Sequence, residues 1–229
     1  MKFYYDLHIH SDLSPCAHNH MTPNNIVNMS YIKGLNIISV TDHNSTKNLP
    51  AIIKVSDNKI KIIPGIEVTT KEEVHVLCYF KNLYEASEFG DIIYESLPNI
   101  INNPVLFGQQ NIYNEDDEII GNLDKLLLSA ASFSLKELDF MIKEYHGIMV
   151  PAHINKKSNS ILGILGFIPD NLEFTFVEIY NKSDINDKLL KKYKLLINSD
   201  AHILTDISEP VNYMEIKSAD EVFDYLKTI

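Results

Sequence analysis

The stretch Phe3-Tyr4-Tyr5-Asp6-Leu7-His8-Ile9-His10 is typical of a β-strand that carries metal-binding side chains at its carboxyl end. Side chains two positions apart on a strand point to the same face, so the rings of His8 and His10 face the same way. Asp6 lies on that face too and is a candidate to orient one ring by a hydrogen bond. A surface strand with alternating histidines would show the same pattern, so this stretch alone leaves both interpretations open.

The pattern of an acid followed two positions later by a histidine returns near the other end of the chain, at Asp200 and His202. Related motifs follow other predicted strands: Thr41-Asp42-His43, Gly65-Ile66-Glu67 with His75 downstream, and Pro151-Ala152-His153. Imidazole and carboxylate together are the ligands that divalent transition metals prefer. Sites with several such metals commonly catalyse hydrolysis. The chain is therefore expected to gather one multi-metal site from its whole length.

Short apolar strands alternate with helices along most of the sequence. The predicted strands cover residues 3–8, 36–41, 61–64, 73–80, 148–152, 175–180 and 195–199. The predicted helices cover residues 23–33 with Thr22 as N-cap, 49–57, 135–146 and 183–193, with a last helix after Ser218. Two of these helices start with a Ser-x-x-Glu capping box, at Ser134 and at Ser218. About seven strand–helix units favour a parallel α/β barrel with its chemistry at the carboxyl ends of the strands.

Residues 83–133 interrupt this alternation. Residues 84–96 are predicted to be helical, and residues 105–121 to form a β-hairpin whose turn is Asn114-Glu115-Asp116-Asp117. We interpret the segment as an insertion over or beside the barrel mouth, within one domain that spans residues 1–229.

Composition restricts the class of protein. The chain has 229 residues, of which 45% are hydrophobic, enough for one barrel with a sizeable core. No apolar stretch has membrane-spanning length and no basic-then-apolar leader is present, so a cytoplasmic location without a membrane partner is expected. The two cysteines, Cys16 and Cys78, are too few for a disulfide framework. Cys78 lies on the strand face opposite to His75 and is interpreted as a core thiol.

Charge restricts the substrate. The net charge of −11 disfavours a nucleic-acid polymer as partner, because the phosphate backbone would be repelled. All 20 basic residues are lysines, so bidentate recognition of phosphate by arginine is excluded. Lys156, in the loop that follows His153, is the leading candidate to bind a substrate phosphate. A solvated charged loop is the alternative interpretation.

Taken in order, these motifs resemble those of the PHP (polymerase and histidinol phosphatase) family. The matching motifs are Asp6-Leu-His8-Ile-His10-Ser11, Thr41-Asp42-His43-Asn44, Gly65-Ile66-Glu67 with His75, Pro151-Ala-His153 and Ser199-Asp200-Ala201-His202. The resemblance implies a distorted (β/α)7 TIM-like barrel, two or three divalent metal ions (Mn, Fe or Zn), and phosphoester hydrolysis by a metal-bound hydroxide. The implied ligands are His8, His10, His43, Glu67, His75, His153, Asp200 and His202.

Two of these ligands have a further expected role, and one family position differs here. Glu67 is the natural bridging ligand, since a carboxylate can hold two cations. Asp200 is the candidate catalytic residue that contacts the nucleophilic water. Many family members have a further Asp or His five or six residues after the opening motif, where this chain has Pro15 and Cys16. Cys16 and the nearby His20 are therefore both candidate ligands, with a semi-buried thiol and a loop histidine as the alternatives.

The sequence thus predicts a metal-dependent phosphoesterase that acts on a small phosphomonoester or nucleotide. Two other functions stay open at this point. The first is hydrolysis of a C–N bond at the same kind of centre, as in amidohydrolases. The second is a metal-loaded domain that binds a ligand without turnover.

Overall fold

The structure is a computed structural model that describes residues 1–180 and 191–228. Its strands are β1 (Lys2–Ile9), β2 (Ile37–Val40), β3 (Lys61–Ile62), β4 (Gly65–Thr69), β5 (His75–Tyr79), β6 (Asn111–Tyr113), β7 (Ile119–Asn122), β8 (Ile148–Pro151), β9 (Phe176–Glu178), β10 (Lys194–Leu196) and β11 (Tyr213–Glu215). Its helices are α1 (Pro23–Ile32), α2 (Leu49–Ser56), α3 (Leu83–Ser96), α4 (Pro104–Phe107), α5 (Leu135–Glu144), α6 (Ile161–Leu165) and α7 (Val222–Lys227). The helix predicted over residues 183–193 lies mostly outside the described residues.

The fold is mixed α/β, and its strands form four hydrogen-bonded sheets rather than one continuous barrel within the described residues. The sheet orders are β11-β1-β2-β3, β4-β5-β8, β9-β10 and β6-β7. Isolated backbone contacts join the first three at their ends. His43 bridges to Glu67, Ile9 bridges to Ala201, and the N–H of Ile154 donates to the carbonyl of Glu178 at 2.9 Å. The ends of β1, β2, β8 and β10 therefore meet along one rim.

The prediction of an all-parallel arrangement was wrong for β5. This strand runs antiparallel to both of its neighbours, β4 and β8. Residues 70–74 connect β4 to β5 through a tight turn in which Thr70 N–H donates to the carbonyl of Val74 at 2.9 Å. A parallel crossover needs a dozen or more residues, so such a short connection forces the chain to reverse. Strand β11 is likewise antiparallel to β1.

The single strand predicted before Glu67 is divided in the structure. Strand β3 pairs with β2, whereas β4 pairs with β5 in another sheet. Gly65 is required where β4 begins, because a Cβ there would lie 2.5 Å from Ser39 Oγ of β2. The close approach of β4 to β2 brings Glu67, in the middle of β4, to the end of β2.

Apolar packing supports the rim. One cluster takes alternate residues of several strands, including Leu7, Leu77, Tyr79 and Val150, all fully buried. The hydroxyl of Tyr79 donates to the carbonyl of Leu7 at 2.8 Å, directly before His8 in the chain. Cys78 is fully buried in the other apolar cluster, where burial raises its thiol pKa, so its interpretation as a core thiol is confirmed.

Several local predictions for the helices can be compared with the structure. The capping box at Ser134 is present, with both reciprocal hydrogen bonds. The expected N-cap at Thr22 is not: its hydroxyl donates to Asp117 instead, and Asp117 accepts the N–H of Asn24 at 3.0 Å. Within the described residues, no helix is long and apolar enough to cross a bilayer.

Residues 83–133 contain α3, α4 and the hairpin β6–β7. The predicted turn is present, since Asn114 N–H donates to the carbonyl of Glu118 at 3.0 Å. The hairpin is shorter than expected because Pro104–Phe107 forms the short helix α4. The segment packs on the loop after β1: the N–H of Asn111 donates to the carbonyl of Asp12 at 3.2 Å. A Cβ at Gly108 would lie 1.9 Å from the carbonyl oxygen of Pro15, so glycine allows this contact.

Candidate metal centre

The eight ligands implied by the family resemblance come together on the rim, from six strands or the loops that follow them. His8 lies at the end of β1 and His43 after β2, while His153 and Asp200 follow β8 and β10. His75 was expected at a strand end but is the first residue of β5. Because β5 is antiparallel to its neighbours, its start lies on the same rim as their ends. The backbone of both His153 and Asp200 adopts a positive φ, at 29° and 54°, which is uncommon outside glycine and concentrates at functional sites.

Glu67 is the hub of this cluster. Its carboxylate, fully buried, lies near five imidazole rings. The contacting nitrogens are His43 Nδ1 (2.9 Å), His75 Nδ1 (3.0 Å), His8 Nε2 (3.3 Å), His153 Nε2 (3.3 Å) and His10 Nε2 (3.4 Å). Burial alone would raise the pKa of Glu67, but the positive charge of His75 and His8 lowers it well below its usual value. Glu67 is therefore an anion positioned among nitrogen ligands.

Asp200 forms a second anionic point beside the same rings. Its Oδ1 lies 3.3 Å from His8 Nε2 and 3.2 Å from His10 Nε2, and its Oδ2 lies 2.5 Å from Lys156 Nζ. Burial opposes ionisation, but the charge of His8 and the neighbouring imidazole of His10 lower the Asp200 pKa. The ring of His202 stacks on that of His10 with centroids 4.3 Å apart.

The donor set fits divalent metal ions. Three groups of side chains bring one ligand atom each within 4.8 Å of the others: His8, His10 and Asp200; His43, Glu67 and His75; and His10, His43 and His202. Three buried atoms there have no hydrogen-bond partner, namely His43 Nδ1, Glu67 Oε2 and His153 Nδ1. The first two face each other at 2.9 Å without the angle of a hydrogen bond. Lone pairs that are buried and unpartnered are costly unless a cation uses them.

Glu178, at the end of β9, is a functional residue that the sequence argument missed. Both of its carboxylate oxygens lie 3.0 Å from His8 Nδ1, and it also accepts from the N–H of His153 and the side chain of Asn198, each at 2.8 Å. It is the acid at the end of a predicted strand, as the ligands are, and this position could have identified it.

Glu178 also replaces Asp6 in the role predicted for that residue. Asp6 does not contact a histidine ring. It accepts from the backbone N–H groups of Ser199 (3.1 Å), Ser208 (2.9 Å) and His8 (3.4 Å). Its carboxylate therefore ties the loop after β10 to β1. The register of β1 against β2 shifts between Asp6 and Ile9, so the simple two-residue alternation of side chains does not hold there.

Of the two additional candidate ligands, the structure brings only Cys16 to the cluster. Its thiol hydrogen-bonds with His202 and His43, which outweigh the effect of burial and lower its pKa to about 6. His20 is exposed, and its ring lies tilted against that of His18 with centroids 4.8 Å apart. Its side chain is kept away because a turn, in which Met21 N–H donates to the carbonyl of His18, places residues 18–20 at the surface.

Lys156 lies at the mouth of the cluster, as expected for a substrate-binding residue. A cavity of about 140 Å³ opens there. Its walls are His43, Glu67, His75, His153, Lys156, Ser158, Asn159, Asp200 and His202. The Nζ of Lys156 also lies 4.7 Å from the ring centroid of Tyr180, an aromatic contact that restricts where the lysine can reach. Imidazoles, one lysine, polar side chains and two carboxylates thus surround a hollow of the size of a small anion.

A model of the PHP domain matches residues 6–229, which contain every element of this rim. The chain belongs to the PHP domain family. Membership of this family indicates a metal-dependent hydrolase, in agreement with the ligand clusters of this PHP domain. No curated protein sequence matches the chain significantly.

Solved structures with a similar fold include enzymes of different reaction types. The lesion-specific endonuclease EndoQ of Pyrococcus furiosus is 21% identical with a TM-score of 0.69, and the match covers 99% of this PHP domain but 56% of the endonuclease. This chain therefore spans little more than half the length of that enzyme.

Two other structures match over nearly their whole length. A candidate metal-dependent phosphoesterase from Bifidobacterium adolescentis is 16% identical, with a TM-score of 0.61 and coverage of 97% and 95%. An amidohydrolase from Chromobacterium violaceum, solved with bound sulfate, is 15% identical, with a TM-score of 0.61 and coverage of 93% and 92%. At these identities the likeness shows the fold alone.

Proposed function

We propose that this PHP domain is a metal-dependent phosphoesterase that hydrolyses a small phosphomonoester or nucleotide. The observation that supports it most directly is the position of Glu67, whose buried carboxylate lies within 3.4 Å of five imidazoles beside a lysine-lined hollow. The ligands are buried, whereas Lys156 and the cavity lie at the surface of the cluster. This separation suits metal ions below and a substrate phosphate above.

Two or three divalent ions (Mn, Fe or Zn) would be held by the side chains of the cluster. The proposed ligands are His8, His10, His43, Glu67, His75, His153, Asp200 and His202, with Cys16 as an additional ligand and Glu67 shared between sites. When bound, such ions lower the pKa of a water molecule and neutralise charge on the phosphate.

The chain's own residues supply the remaining chemistry. Lys156 would provide a positive charge for a phosphate oxygen that the metal ions do not contact. Asp200 contacts Lys156 through Oδ2 and faces His8 and His10 through Oδ1. Its proposed role is to orient the attacking water and accept its proton. Glu178 fixes the ring of His8 from the opposite side.

Size and charge favour a small substrate. The cavity of about 140 Å³ accommodates a phosphate group more readily than a duplex. The net charge of −11 and the lack of arginine disfavour a long phosphate backbone. The similarity to EndoQ makes DNA the competing substrate class, and the amidohydrolase makes a C–N bond the competing reaction.

A substrate panel tests the proposal. The protein would be purified, stripped of metal, reloaded with Mn, Fe or Zn, and assayed on phosphomonoesters, phosphodiesters, duplex DNA with an abasic site, and cyclic amides. We expect turnover of monoesters that requires metal and is lost in Asp200→Asn. Cleavage of DNA alone would reassign the substrate, amide hydrolysis alone the reaction, and metal binding without any turnover would indicate a binding domain.

Two architectural features are also proposed. The strands β1, β2, β4, β5, β8, β9 and β10 are proposed to be a distorted seven-stranded barrel, supported by the single backbone contacts that link their sheets. Residues 83–133 are proposed to be an insertion in that barrel, supported by their separate hairpin and their contacts with the loop at residues 11–16.

A further inference from the structure

The buried hydroxyl of Ser14 lies at the centre of a hydrogen-bond network beside His10. It is 3.0 Å from His10 Nδ1 and donates to Asp42 Oδ1 at 2.7 Å, and it accepts the backbone N–H of His43 at 3.1 Å. A serine hydroxyl has one hydrogen and two lone pairs. Three contacts therefore use its hydrogen-bonding capacity completely.

Asp42 can only accept in this network. It receives the N–H of Ser11 at 2.7 Å and the hydroxyl of Ser11 at 2.6 Å, in addition to Ser14. The lone pairs of Ser11 Oγ are occupied by donors from Asn48 (2.9 Å) and Leu13 (3.3 Å), so its hydrogen must point to Asp42. Three donors converge on Asp42, which requires a carboxylate there.

The hydrogen-bond donors and acceptors around Ser14 determine which nitrogen of His10 carries the proton. The hydrogen of Ser14 is committed to Asp42, and one of its lone pairs is committed to His43. The remaining lone pair can only accept, so His10 Nδ1 must carry a hydrogen. The other nitrogen, Nε2, is then bare and faces Glu67 at 3.4 Å and Asp200 at 3.2 Å.

We propose that Ser14, held by Asp42, is a positioning residue that fixes the His10 proton on Nδ1 and directs Nε2 into the metal cluster. The ring of His8 is held by a different partner, Glu178, so of these two rings the Asp42–Ser14 pair holds only that of His10. The metal-binding part of this inference rests on the proposed function; the position of the proton does not.

Nitrogen NMR of the imidazoles reads the proton directly. Protein labelled with ¹⁵N-histidine would be studied metal-free and zinc-loaded, with the His10 signals assigned from a His10→Asn variant. We expect the pattern of an Nδ1–H imidazole for His10 in both states. A proton on Nε2 in the metal-free protein would overturn the proposal.

Variants test the consequence for binding. Ser14→Ala leaves Nδ1 without an acceptor and is expected to raise the zinc Kd by about 10- to 100-fold, as loss of a ligand-orienting partner does. Ser14→Thr keeps the hydroxyl and should restore most of the affinity. Ser30→Ala is the matched control, because Ser30 is fully buried and its hydroxyl has no partner.

The outcomes separate this inference from the proposed function. Wild-type zinc affinity in Ser14→Ala would overturn the positioning role. If Ser14→Ala does not fold, the wild-type spectrum still decides where the proton lies. If the wild-type protein binds no divalent metal, the proposed function fails, and the metal-free spectrum decides the role of Ser14 by itself.

Discussion

Lys156 is the residue that we propose to bind the substrate phosphate, in a chain without arginine. Its ammonium group lies 2.5 Å from Asp200 and beside the ring of Tyr180, within the wall of the cavity. A lysine offers a point charge rather than a fork, so it holds a phosphate oxygen with little geometric selectivity. We therefore predict a broad substrate range and weak affinity for each substrate.

Replacing Lys156 by methionine should reduce kcat/KM by about ten- to a hundredfold, because a charge-assisted contact worth about 1.5–3 kcal/mol is lost. Metal content should not change, since no ligand is altered. Steady-state kinetics on the best phosphoester and elemental analysis measure the two quantities. The control is Lys157→Met, whose side chain is exposed and does not line the cavity. Equal kinetics for both variants would remove Lys156 from the site.

Cys16 distinguishes this chain from family members with Asp or His at the corresponding position. A thiolate prefers softer ions such as zinc or cobalt over manganese. Cobalt-loaded protein should therefore show a sulfur-to-metal charge-transfer band that disappears in Cys16→Ser. Cys78→Ala should keep the band, because Cys78 is buried in the core. A spectrum that is identical for wild type and Cys16→Ser would exclude the thiol as a ligand.

The sequence reveals some of these residues and conceals others for a physical reason. An acid or histidine at the end of a predicted strand can be recognised from the local sequence. This is why the sequence could predict the positions of His8, His10, Asp200 and His202. Ser14 and Glu178 could not be assigned roles, because their partners lie far away in the chain and depend on which strands are neighbours. Glu178, for example, meets a histidine 170 positions away.

At the scale of elements, strand β5 shows where periodicity is insufficient. The two-residue alternation identified the strand and the buried face of Cys78 correctly. It carries no information on direction, which the short turn at residues 70–74 decides. His75 still lies on the rim despite the reversal, because the start of an antiparallel strand lies beside the ends of its neighbours.

Helix α1 depends on a cap from the distant hairpin β6–β7. Asp117 accepts from the N–H and side chain of Asn24, both at 3.0 Å, and from the hydroxyl of Thr22 at 2.5 Å. Asp117→Ala should lower the free energy of unfolding by about 0.5–2 kcal/mol, as loss of an N-cap does. Urea denaturation measures this change. Asp116→Ala, an exposed neighbour, is the control, and equal stability of the two variants would contradict the role of Asp117 as a cap.

At the scale of the whole molecule, the cluster of candidate ligands joins elements from both ends of the chain. The order of the motifs allowed the family to be predicted, because each motif alone is common and the ordered set is not. The division into four sheets could not be predicted. It depends on which neighbouring strands form a complete ladder of hydrogen bonds and which share only an isolated bridge. The cluster accordingly brings together side chains from three sheets that are joined by isolated backbone bridges rather than by full ladders.

Exhaustive chelation should therefore lower the melting temperature. A ligand that binds only the folded state at a thousandfold excess over its Kd stabilises by about 4 kcal/mol. His10→Ala and Glu67→Ala should each reduce metal content and stability together, and chelation should then have a smaller further effect. Calorimetric scans with and without chelator measure this. An unchanged melting temperature of the wild type after complete metal removal would contradict the structural role of the cluster.

Metal binding should also release protons near neutral pH. Burial alone would lower the pKa of His8, but the carboxylates of Glu178, Asp200 and Glu67 raise it well above 6.5. Burial is likewise outweighed at His43, where the charge of Glu67 raises the pKa to about 10. Both rings therefore hold an extra proton in the metal-free protein at pH 7, and a metal must displace it to use the nitrogen.

The sign of the pH dependence follows from these raised pKa values. Both rings stay protonated in the metal-free protein between pH 6 and 8, so binding releases protons, and zinc affinity should increase as the proton concentration falls. Titration calorimetry at pH 7 in two buffers of different ionisation enthalpy counts the protons released. His43→Gln should release fewer, whereas His146→Gln should match the wild type, because His146 is exposed just after α5 and belongs to none of the three ligand groups. Binding without proton release, or weaker binding at pH 8 than at pH 6, would show that these histidines are already neutral before the metal arrives.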